Sequence, residues 1–142
     1  MKNPRTIVIK GDPLLKEANA AEAITPGHLV RFDDAGDIEK HDTSEGRAAK
    51  MFAVERASAG QDIGTDYKEG DLARYGVGRS GDEFYALLAD GEDVSKGDAL
   101  ASAGGGNLKA SPAEPNDGVI VAYALEDKAA TGAAERIRVE AA

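Results

Sequence analysis

Apolar residues in this chain fall in short runs broken by glycine, aspartate and proline, with no long amphipathic repeat linking them. Arg5–Lys10, "RTIVIK", is a β-prone run bounded by Pro4 and Gly11. Gly27–Phe32 and Asp37–Lys40 flank "DDAG" (Asp33–Gly36), whose residues suit a turn that ends at positive φ. Met51–Glu55, Tyr67–Tyr75, Val119–Leu125 and Arg136–Glu140 read as further strands. Glu83–Ala89 also fits a helical period at Phe84, Leu87 and Leu88, but its shortness, its aromatics and the flanking Gly81 and Gly91 favour a strand. Only Asp12–Ala23 offers a helical window. Asp12 would cap it, Pro13 would open it and alanines would fill it, with an extended linker as the alternative. The pattern predicts a mostly β protein of short strands with at most one short helix.

One local spelling occurs twice. "ITPGHLVRFDDAGDIEK" (Ile24–Lys40) and "VSKGDALASAGGGNLKA" (Val94–Ala110) align seventy positions apart, Gly27 on Gly97 and Gly36 on Gly106. Met51–Val54 then falls opposite Val121–Ala124, and "YKEGDLARY" echoes the Gly-x-Leu-x-Arg-aromatic order of "GHLVRF". Turn chemistry alone repeats in this way for geometric reasons. The chain therefore reads as an arm and linker over 1–23 and a β domain over 24–142, with two related hairpin units at 24–54 and 94–124.

Composition narrows the function. Seventeen basic against 26 acidic residues give a net charge of −9, which argues against nucleic acid and anionic membranes as partners. The charge is uneven, since Met1–Lys10 holds Lys2, Arg5 and Lys10 and no carboxylate. There is no cysteine and no apolar run long enough to span a membrane. Alanine supplies much of the 42% apolar fraction, so the core is sparse and arms or loops are expected to be ordered by a partner.

Candidate chemistry is thin. "GVGRSG" (Gly76–Gly81) matches G-x-G-x-x-G, but Asp82 and Glu83 stand where a phosphate would sit, so it reads as a glycine-rich hairpin loop. "GGG" (Gly104–Gly106) lacks the Lys-Ser/Thr of a phosphate loop. His28 and His41 lie among Asp33, Asp34, Asp37 and Asp42, yet the order fits no EF-hand and the acids suit exposed turns. Ser80 misses the nucleophile-elbow spacing. Arg31–Phe32 and Arg74–Tyr75 read as packed strand ends, an arginine stem over a ring. No enzyme, cofactor or metal is expected.

Ile7–Phe32, Glu83–Ala110 and "VIVAYALED" (Val119–Asp127), taken together in order and spacing, resemble the head-decoration, or capsid-cement, proteins of tailed bacteriophages. The resemblance implies a small β-barrel or β-tulip-like domain with an extended N-terminal arm, assembled as a trimer. It implies a protein made in the host cytoplasm and carried on the outer surface of the virion, where it clamps neighbouring units of the major capsid protein. The family engages the shell partly through its N-terminal arm. On this chain the candidate pairing strand is Thr6, Ile7, Val8 and Ile9, with Arg5 and Lys10 guiding it by charge. An ordinary first strand of the domain is the alternative for that segment. The competing function is a β-rich module binding a small ligand or carbohydrate, for which the lack of tryptophan leaves a poor stacking platform.

Overall fold

The computed structural model describes residues 3–112 and 118–142, so Lys2 of the basic segment lies outside the described residues. Along the chain run β1 (Val8–Lys10), β2 (Leu14–Asn19), β3 (Val30–Phe32), β4 (Ile38–Lys40), β5 (Met51–Val54) and β6 (Leu72–Val77). They are followed by β7 (Glu83–Leu88), β8 (Asp93–Val94), β9 (Ala99–Gly104), β10 (Asn107–Ala110), β11 (Ala122–Ala124), β12 (Lys128–Ala129) and β13 (Glu135–Ala141). One 3-10 turn, Ala57–Ala59, is the helical content of the described residues. The mostly β expectation holds.

The barrel does not. In the largest sheet, pairing runs β1–β7–β10–β9–β11–β13, and β13 returns to β7 over six residue pairs. The remaining seam, β7 to β10, rests on the single parallel pair Leu88↔Leu108. A barrel needs a regular stagger carried around every strand. Strand β10 has four residues, and all four are engaged by β9. The strands curl around a core without closing as a laddered barrel.

That core holds Leu29, Phe52, Phe84, Leu88, Leu100, Leu108 and Ile137, with the Phe52 and Phe84 rings 4.8 Å apart. A smaller cluster of Ile24, Val30, Ile38, Tyr67 and Tyr75 lies beneath the sheet β2–β6–β5 and the hairpin β3–β4. Each fully buried large side chain contributes about 2 kcal/mol.

The two hairpins share one register under the offset of seventy: Val30↔Lys40, Arg31↔Glu39 and Phe32↔Ile38 correspond to Leu100↔Ala110, Ala101↔Lys109 and Ser102↔Leu108. The turn that introduces them occurs four times among the described residues. His28, Asp71, Asp82 and Asp98 each donate a backbone N–H to the carbonyl three residues before, in Thr25, Lys68, Arg79 and Ser95. In every case the side chain of the later residue accepts the N–H of the earlier one, at 2.8–3.0 Å. The intervening Gly27, Gly70, Gly81 and Gly97 have φ of 102°, 88°, 94° and 96°, the value a type II turn needs at that position. Each glycine N–H then reaches a distant carbonyl: Ala53, Ala20, Ala141 and Ala124. The turn is thus a local structure and also a stitch between strands.

Two expectations change. Within Asp12–Ala23, Leu14–Asn19 forms strand β2 and not a helix, paired with β6 from Leu14↔Val77 to Asn19↔Leu72. About three turns of helix are marginal alone in water, whereas β6 offers a full ladder. "GVGRSG" is not a hairpin loop either. Gly76 and Val77 belong to β6, β7 lies in another sheet, and Gly78–Asp82 carries the chain across.

Candidate interaction surface

The N-terminal segment divides at Ile7. Arg5, Thr6 and Lys10 are exposed, whereas Ile7 is buried in the larger core and Val8 and Ile9 pack against it. The Ile7 N–H donates to Glu55 Oε1 at 3.0 Å, and its carbonyl accepts the Tyr85 N–H at 2.7 Å. Strand β1 pairs with β7 through Val8↔Phe84 and Lys10↔Glu83, with a bulge between them. In this structure the apolar candidates of the pairing strand are therefore engaged by the chain's own sheet, and the outward-facing ones are Arg5, Thr6 and Lys10.

The corner between β1 and β2 is clamped by Asp82. Its Oδ1 accepts the Asp12 N–H at 3.1 Å and its Oδ2 accepts the Arg79 N–H at 2.8 Å. A Cβ on Gly11, which has φ +95°, would lie 2.1 Å from that Oδ1, so only glycine admits the carboxylate. Arg79 adds a guanidinium N–H to the Asp12 carbonyl at 2.6 Å. Beyond the corner, Pro13, Leu14, Leu15 and Val77 line an open groove rimmed by Asp12 and Arg79. Leu14 is 59% and Leu15 47% exposed. Adjacent leucines in a strand must point to opposite faces, and the doublet in "DPLLKEAN" is the sequence signal for an apolar edge that helical reasoning conceals.

The two histidines lie in separate settings. His41 is buried, its Nε2 2.8 Å from the Arg47 carbonyl and its Nδ1 2.7 Å from Ser102 Oγ. A carbonyl only accepts, so Nε2 carries the proton, and in the neutral ring Nδ1 accepts from the serine. His28 caps the first of the four turns through Nδ1, where the sister turns use a carboxylate. Burial, then the neighbouring Lys40 and Arg136 cations, lower its pKa to about 4, with Asp66 opposing. Among the described residues no three His, Asp or Glu side chains converge as a metal site.

The arginine–aromatic expectation is corrected. Arg31 pairs with Glu39 and Asp42, at 2.7 and 2.8 Å, and Phe32 meets Tyr75 edge-on at 5.8 Å. Among the described residues, the arginines that stack are Arg136 and Arg138, both over Tyr85. Arg136 also donates to the carbonyls of Pro26 at 2.5 Å and Ile63 at 2.9 Å. Simple alternation in "RIRVE" gives Arg136 to the solvent side, and only the loops packed over it reveal its role.

No protein-family model matches the chain, and no curated protein matches it. Among solved structures it is similar to the N base of head fiber gp8.5 of bacteriophage phi29, with a TM-score of 0.59 and 14% sequence identity. The match covers 91% of this chain and 93% of that one. The likeness is one of fold, extending over nearly the whole of both chains.

Proposed function

We propose that this chain is a non-enzymatic component of a phage virion, a decoration or cement protein that binds the outer surface of the head and bridges units of the major capsid protein. The observation that carries the reading is the fold shared along almost the entire chain with the base of a phage head fiber. Exposed Arg5 and Lys10 on an otherwise acidic molecule support charge-guided docking of the N-terminal side on an acidic shell. A homotrimer at three-fold positions would repeat each modest contact and raise its effective concentration. Neither nucleic acid nor membrane is a partner in this reading.

Because Ile7 is part of the core, deleting the whole segment would damage the fold along with any docking. The informative variant is Arg5→Glu combined with Lys10→Glu. Co-sedimentation with purified heads of the cognate phage, alongside solution mass, is the test. Binding of the wild type as a trimer, weakened at least about tenfold by the double reversal (about 1.4 kcal/mol), is the expected result. A monomer that stays in the supernatant while the heads pellet removes the proposal.

A further inference from the structure

We infer that the open edge of β2 is a docking site for an extended acidic segment of another polypeptide, which adds to the sheet β5–β6–β2 as its fourth strand. The inference stands on the edge itself and not on the capsid reading.

Backbone direction is the first observation. Ala20 donates its N–H to Asp71 and accepts from Gly70, so its polar groups face the β6 side. Strand alternation then turns Ala18, Lys16 and Leu14 toward β6, and Leu15, Glu17 and Asn19 away from it. On the next strand, Ala53 points away from β6, donating to His28 and accepting from Gly27, as the same alternation requires. Leu15 and Glu17 thus present their N–H and C=O groups off the end of the sheet, and the open edge stops at Asn19, where Ala20 bridges Ile38 of β4 in parallel and Ala21 donates to the Ile38 carbonyl. An extended partner completes such a ladder through its main chain.

Side chains give the partner its chemistry. Leu14 and Leu15 stand exposed beside a groove floored by Pro13 and Val77, a seat for one apolar residue. Glu17, the only acid on β2, is already held by Arg56 at 2.7 Å. Lys16 makes no ion pair among the described residues, nor does Lys10 on β1, the strand before it in the chain. Arg79, 72% exposed at its side chain, reaches the Asp12 main-chain carbonyl, while the Asp12 carboxylate stands 3.9 Å away. In a chain of net charge −9, this edge keeps an excess of unpaired cation, and carboxylates alternating with apolar residues complement it.

A second copy of this chain fits less well. Two-fold pairing of β2 with itself keeps each residue on its own face. Centred on the middle of the strand, it sets Lys16 against Lys16 or Glu17 against Glu17, and like charges directly opposite are destabilising.

The probe is a fluorescein-labelled, end-blocked peptide of alternating glutamate and valine, titrated with the intact protein at low salt and followed by anisotropy. A peptide of alternating lysine and valine is the control. Saturable binding of the acidic peptide is expected, with none for the basic one. Lys16→Glu should weaken it at least about tenfold, about 1.4 kcal/mol. Glu17→Pro should abolish it, since it removes an outward N–H at an edge where proline is tolerated. Lys16→Glu lies on the exposed surface and serves alone if the proline variant melts early. No binding at millimolar protein, equal binding of the basic peptide, or affinity unchanged by Lys16→Glu overturns the inference. So does a dimer in sedimentation that Glu17→Pro dissolves, because a second copy would then own the edge.

Discussion

Asp82 accepts two main-chain N–H groups, from Asp12 seventy residues before it and from Arg79 three residues before it, and fixes the corner from which β2 departs. Hydrogen bonds to a charged acceptor each contribute roughly 1.5–3 kcal/mol. Asp82→Ala is therefore expected to lower unfolding free energy by about 2–4 kcal/mol, read from urea denaturation. Asp82→Asn, which keeps one carbonyl oxygen, should fall between. His28 makes a prediction of different form. Its Nδ1 accepts the Thr25 N–H only when unprotonated, and its pKa falls from 6.5 to about 4. Between those values the unfolded chain takes up a proton that the native state refuses. Stability is thus fully present above pH 6.5 and declines as pH falls toward 4, by on the order of 2–3 kcal/mol. His28→Asn retains an oxygen to cap Thr25 without titrating. It should flatten the slope of stability against pH in that window, whatever it does to absolute stability. An unchanged slope would mean that His28 is not the titrating group.

At the scale of elements, the repeated turn separates backbone strain from packing. A Cβ added to Gly97 meets nothing within 4 Å, so Gly97→Ala carries only the cost of the left-handed conformation, about 1–2 kcal/mol. At Gly27 the same atom would lie 2.4 Å from Arg136 Nη1 and 2.9 Å from the Tyr85 carbonyl. Gly27→Ala is expected to destabilise by more than Gly97→Ala, compared by midpoints in urea. Equal losses would show that Arg136 yields at no cost. Strand β2 illustrates the opposite relation between sequence and element. The alanines and capping residues of the surrounding Asp12–Ala23 favour a helix locally, yet β6 presents an open ladder and takes Leu14–Asn19 as a strand. The price is an edge with two exposed leucines, which is where the docking inference lies.

For the molecule as a whole, the N-terminal segment belongs partly to the body. Ile7 is fully buried, so Ile7→Ala is expected to cost about 2–4 kcal/mol. Removing residues 1–5 should leave the melting temperature nearly unchanged. If Ile7→Ala proved neutral in thermal unfolding, β1 would be an arm laid on the surface after all. Within the proposed virion role, Arg5 and Lys10 act by charge, and attachment to heads should weaken as ionic strength rises.

What the sequence by itself determined was local. Glycine at positive φ, and a carboxylate or imidazole placed to accept an N–H three residues back, specify a turn within four residues. The Gly-Asp and Gly-His pairs before short apolar runs were therefore legible as β structure with repeated hairpins. The copy at Arg79–Asp82 was hidden because its glycine also completes a nucleotide-like spelling. What only the tertiary structure decided depends on partners distant in the chain: β2 as a strand, Ile7 in the core, Arg136 beneath two loops, and the barrel left unclosed at Leu88↔Leu108. These choices are settled by which ladder or cavity lies within reach after the chain has folded back, and no local propensity carries that information.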